Sequence, residues 1–119
     1  MKAIDPHCRS FQTAIEVLAR PWTGLILGLL GDGPLRFSQI EERAHGVGAK
    51  TLAARLKDLE LRKIVVRTVD GGPPVRVQYA LTARGRAFGE VALAIQRWGN
   101  ELVTGAAPAE KRRSRKGAS

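Results

Sequence analysis

Three groups of residues carry side chains able to do chemistry. Cys8 is the single cysteine of a 119-residue chain, and it stands between His7 and Arg9. Neighbouring cations favour the thiolate, the form that attacks oxidants and electrophiles, and the bland alternative is a small packing residue beside the first helix. A single cysteine cannot close an internal disulfide. Two histidines, His7 and His45, without C-x-x-C or H-x-x-x-H spacing do not suggest a zinc site either, so no metal or cofactor is expected. The second group is Lys50, Thr51, Ala54, Arg55 and Lys57, whose mixture of cations, a hydroxyl and a small residue suits contact with DNA, with Thr51, Ala54 and Arg55 expected at base edges and Lys50 and Lys57 nearer phosphates. The third is Arg67 and Arg76, which flank a rigid Pro73-Pro74 tip and could sit on phosphates or in a minor groove, with Arg36 and Ser38 as further DNA-binding candidates. Enzyme chemistry finds no support. There is no Ser/His/Asp or Cys/His set, no G-x-x-x-x-G-K-S/T or G-x-G-x-x-G loop, and the carboxylates are scattered among cations.

The formal charge of +9 implies a polyanionic partner, nucleic acid first and an acidic membrane surface second. The charge is unevenly placed, because residues 108–119 hold Lys111, Arg112, Arg113, Arg115 and Lys116 against Glu110. We therefore expect one folded domain over residues 1–107, with a core drawn from a chain that is 44% hydrophobic, and a disordered basic tail over 108–119. No apolar run approaches the roughly 18 residues of a membrane span, and the N-terminus lacks the apolar stretch of a secretory signal. A cytoplasmic protein is the expectation.

These side chains must be positioned by local elements. Residues 9–20 place Phe11, Ala14, Ile15 and Leu18 on one side of a helix that Pro21 should end. Residues 22–30 are apolar almost all round and are expected to form a buried helix, stopped by Gly31-Asp32-Gly33-Pro34. Ser38 and Glu41 match a capping box for a short helix over residues 39–44. His45-Gly46-Val47-Gly48 is a tight turn, and a second helix over residues 49–62 follows with Leu52, Leu56 and Leu59 as its apolar stripe. Two β-branched runs, residues 64–69 and 75–81, bracket Asp70-Gly71-Gly72-Pro73-Pro74 as a hairpin. Thr82 is expected to cap a long final helix bearing Phe88, Val91, Ala92, Ile95 and Trp98 on one face.

On the second helix, Leu56 and Leu59 fall within about 40° of Leu52, Lys50, Ala54 and Lys57 lie near the opposite pole, and Thr51 and Arg55 occupy one flank. A solvated face would look the same in isolation, and the hairpin cations could simply guard a sheet edge against aggregation. The turn before the helix and the hairpin after it are explained together by a winged helix-turn-helix. The predicted fold class is α+β, mostly helical, with helices at both ends available for dimerisation.

Trp22-Thr23-Gly24-Leu25-Ile26-Leu27, residues 33–40 (GPLRFSQI), residues 50–60 (KTLAARLKDLE) and residues 74–82 (PVRVQYALT) resemble the HxlR-type family of bacterial winged-helix transcriptional regulators, relatives of the MarR group. The resemblance runs from about Cys8 to Gly99. It implies a homodimer on a pseudo-palindromic operator in double-stranded DNA. The apolar residues Phe11, Ile15, Leu18, Phe88, Val91, Ile95 and Trp98 would then form the dimer interface, since they exceed what a small domain buries alone. It also implies a sensing role for a cysteine ahead of the Trp-bearing helix, although here Arg9 rather than proline follows Cys8. Trp22 and Trp98 are core or interface anchors in this view, and an aromatic-lined dimer crevice could take a small apolar effector. The competing expectation is a winged-helix nucleoid protein or protein-binding adaptor without sequence specificity.

Overall fold

The computed structural model describes residues 4–105. The expected tail over 108–119, and the last two residues of the expected domain, lie outside the described residues. The elements run α1 (Arg9–Ala19), α2 (Thr23–Leu30), β1 (Leu35–Arg36), α3 (Phe37–Ala44), α4 (Ala49–Leu61), β2 (Val65–Asp70), β3 (Arg76–Leu81), α5 (Ala83–Arg86) and α6 (Phe88–Thr104). They divide into two compact units, one ending at Ala87 and one beginning at Phe88. Among the described residues no single helix is long and apolar enough to cross a membrane.

In the first unit α1 and α2 meet at 88° across Arg20-Pro21-Trp22. The core is built from Ile26, Leu27 and Leu30 of α2, Leu35, Ile40 and Ala44 around α3, Val47, Leu52, Leu56 and Leu59 of α4, and Val65. Ile26, Ile40 and Leu52 are wholly enclosed. Each such side chain contributes about 1.5–3 kcal/mol relative to exposure. The expectation that α2 is buried all round holds for one side only, because Leu25 is exposed. On α1 the residue that reaches the core is Val17, outside the predicted Phe11, Ala14, Ile15 and Leu18 stripe.

The expected cap at Ser38 is displaced. Helix α3 begins at Phe37, and the Arg36 amide donates to Gln39 Oε1 at 2.9 Å, so Gln39 does the work assigned to Glu41. The shift follows from β1, a two-residue strand that pairs Leu35 with Tyr79 and Arg36 with Gln78 and fixes where the chain turns into the helix. The sheet is antiparallel in the order β1-β3-β2.

Helix α4 ends in a Schellman arrangement. The Ile64 amide donates to the Leu59 carbonyl (2.9 Å) and the Lys63 amide to the Glu60 carbonyl (3.0 Å), with Lys63 in the left-handed region at φ 64°. Thr82 ties this corner to the end of the hairpin: its hydroxyl donates to the Lys63 carbonyl at 2.6 Å and accepts from the Gly85 amide at 3.2 Å. Arg84 adds a bond from Nη1 to the Arg62 carbonyl at 2.8 Å. Thr82 caps the four-residue α5, not one long final helix, and the chain breaks at Ala87 before α6.

In the second unit α6 is a 17-residue amphipathic helix with no buried residue. Phe88, Val91, Ile95, Trp98 and Leu102 recur at alternating steps of three and four, the spacing of a coiled-coil seam.

Candidate nucleic-acid interface

Helix α4 presents the division expected of it. Leu52, Leu56 and Leu59 are 0–1% exposed, Lys50, Ala54 and Lys57 face solvent, and Thr51 and Arg55 are half-exposed on the flank. The turn preceding α4 requires unusual backbone, with His45 at φ 50° and Gly46 at φ 105°, which is why a glycine occupies it. Val47, within this turn, is buried in the core. The result is two helices joined by a short, pinned turn.

The hairpin follows α4 directly. Its register pairs Arg67 with Tyr79 and Asp70 with Arg76, which places Arg67 and Arg76 on opposite faces of the ribbon. A wing entering a groove edge-on would thus carry one cation toward each wall. Arg36 and Ser38 are exposed near the start of α3. Among the described residues the one ion pair is Arg62–Asp58, at 3.1 Å between the residue that closes α4 and its last turn. Lys50, Lys57, Arg36, Arg67 and Arg76 therefore stand without a carboxylate partner there, available to phosphates. Arg55 differs, because its Nε donates to the Pro21 carbonyl at 2.8 Å.

Cys8 is fully exposed at the N-cap of α1. Its thiol is held below the ordinary thiol range by the Phe11 amide first, then by the Ser10 amide and hydroxyl. The cause is the start of the helix, not the flanking His7 and Arg9 charges that the sequence suggested.

Of the expected interface residues, Phe11, Ile15, Val91, Ile95 and Trp98 are exposed, while Leu18 and Phe88 are half-buried. Leu102, 65% exposed, extends the α6 seam by one more turn. Its signal was the alternating three-and-four spacing, which continues past Trp98.

The HxlR-like helix-turn-helix family matches residues 17–106, which contain the two-helix motif, the wing and α6. The chain belongs to that family. It is 40% identical over 95 residues to the HTH-type transcriptional regulator YodB of Bacillus subtilis, covering 80% of this chain and 85% of YodB. It is 36% identical over 96 residues to the HTH-type regulator YvaP of the same organism, covering 81% and 89%. The reduced form of YodB superposes with a TM-score of 0.78 at 38% identity, over 84% of this chain and 98% of YodB. The quinone-bound form of YodB gives 0.71 at 38% identity, over 79% and 98%. The redox regulator HypR in its oxidised form also gives 0.71, at 27% identity over 77% and 95%. The chain is accordingly a DNA-binding transcriptional regulator of the HxlR and MarR type, with a winged-helix fold, and not an enzyme.

Proposed function

We propose that this regulator acts in the cytoplasm as a homodimer on a pseudo-palindromic operator, each subunit laying α4 in the major groove of one half-site. The observation that carries this is the face of α4, where Lys50, Ala54 and Lys57 are exposed opposite three buried leucines. Thr51 and Ala54 read base edges, while Lys50 and Lys57 hold phosphates. Arg36 and Ser38 meet the backbone at the start of α3, and Arg67 and Arg76 of the wing contact phosphate on either side of a minor groove.

Dimerisation is supported by exposed apolar side chains. On α6 the Phe88, Val91, Ile95, Trp98 and Leu102 seam lacks a buried residue within its own unit, and on α1 Phe11 and Ile15 are left in solvent. A second copy supplies like faces under two-fold symmetry.

Cys8 senses oxidants or electrophiles. Its thiol is exposed and its pKa is lowered, which favours the nucleophilic thiolate that such chemistry needs, and YodB has been crystallised both diamide-treated and quinone-bound. One thiol per subunit reports through an inter-subunit disulfide, a mixed disulfide, a sulfenic acid or a covalent adduct. A small apolar effector in the dimer crevice is the other route of control.

Selection of bound duplexes from random DNA tests the function. A two-fold motif with half-sites about one helical turn apart supports it, whereas binding without a motif supports a nucleoid protein or adaptor.

A further inference from the structure

Arg55 lies on the recognition helix, yet its guanidinium reaches across the surface to the corner between α1 and α2. Nε donates to the Pro21 carbonyl at 2.8 Å across 34 residues of sequence. The acceptor is well defined. In the corner between α1 and α2, the Arg20 carbonyl accepts from the Thr23 amide (3.2 Å) and the Trp22 carbonyl from the Ile26 amide (2.9 Å), while the intervening Pro21 carbonyl turns toward α4. Trp22 adopts φ 73°, a conformation a bulky residue takes at a cost, so surrounding contacts must hold it.

One such contact is visible. A Cβ built on Gly46 would lie 3.6 Å from Trp22 Cη2, so the edge of the indole rests against the turn that precedes α4. The same corner thus touches the turn through Trp22 and the helix through Arg55. Two points of attachment, at Gly46 and at Arg55, fix a direction as well as a position for the helix.

We propose that Arg55 is a positioning residue for DNA recognition: it anchors α4 to the α1–α2 corner and sets the angle at which Thr51 and Ala54 are presented. This rests on the proposed role of α4 as the base reader. It also divides the exposed face by task, with Lys50 and Lys57 directed to DNA and Arg55 to the fold.

The chemistry of the side chains supplies the test. In glutamine, Nε2 is bonded to Cδ just as Nε is in arginine, so Arg55→Gln keeps a donor at the same place while losing the charge. In Arg55→Lys a methylene takes that place and the charge is kept, and Arg55→Ala removes both. For the full-length wild type and the three variants, we would measure amide hydrogen exchange over residues 46–55 without DNA, and the ratio of affinities for a selected duplex and a random one. The positioning role predicts that Arg55→Gln resembles the wild type in exchange and recovers most of the discrimination. Arg55→Lys and Arg55→Ala should exchange faster over this segment and lose about tenfold in discrimination, the scale of one hydrogen bond to a charged group. Retention by lysine with loss by glutamine would make the charge itself the recognition element and overturn the proposal, as would equal exchange in all four proteins. Failure of the wild type to select any motif would instead refute the base-reading role of α4, and the DNA-free exchange comparison would still decide whether Arg55 anchors the helix.

Discussion

Lys57 and Thr51 sit within two turns of one helix but are assigned different tasks, and substitution separates them. Lys57→Ala should weaken selected and random duplexes by the same factor and flatten the dependence of log affinity on log salt by about 0.9, the release expected for one phosphate contact. Thr51→Val should instead change the preferred base at one step of the motif, at a cost of about 1–3 kcal/mol on the original sequence. Competition titrations at several salt concentrations measure both, and identical behaviour of the two variants would contradict the division. Cys8 carries a pH prediction. Because the Phe11 and Ser10 amides lower its pKa in the folded chain, the thiolate is present at a lower pH there than in the unfolded chain. Alkylation by iodoacetamide should therefore reach half its maximal rate at a lower pH in the native protein than in urea, and coincident midpoints would remove the helix start as the cause. Mild oxidation should alter operator affinity in the wild type and leave Cys8→Ser unmoved.

At the scale of elements, the junction between α4 and the wing should be sensitive to single atoms in opposite directions. A Cβ at Gly85 would run into the Ile64 carbonyl oxygen, a backbone atom held by the Thr82 amide at 3.0 Å, so Gly85→Ala should destabilise by about 1–3 kcal/mol. Lys63→Gly relieves a left-handed lysine and should stabilise by a few tenths to about 1 kcal/mol. Urea unfolding of both variants checks the signs. The same junction shows what the sequence could and could not disclose. The leucine stripe of α4 and the β-branched runs of the hairpin were legible because each depends on a local period. Lys63 was not, because sequence preference places glycine at that backbone position and only the bonds from Thr82 and Ile64 show what holds it there. Strand β1 escaped notice since two residues carry no period, and its pairing with β3 moved the start of α3 ahead of Ser38. The bond from Arg55 to Pro21 was equally hidden: a helical wheel gives the side chain's azimuth but not the carbonyl, 34 residues earlier, that it meets.

At the scale of the whole molecule, the proposed operator recognition needs two copies acting together. Ile95 lies in the middle of the α6 seam and is 45% exposed. Ile95→Glu should convert a dimer into a monomer by sedimentation equilibrium, with the helical content of each chain retained, and should weaken operator binding far more than binding to random DNA. A variant that remains dimeric would move the interface away from this seam. Hydroxyl-radical footprinting of the wild type on a duplex selected from random DNA shows whether one recognition helix per subunit occupies each of two symmetric half-sites. The expected result is two protected patches on one face of the duplex, related by a dyad and separated by about one helical turn of 10–10.5 base pairs, with lighter protection in the flanking minor grooves from the wings. A single protected patch, or even protection along the whole duplex, would contradict it.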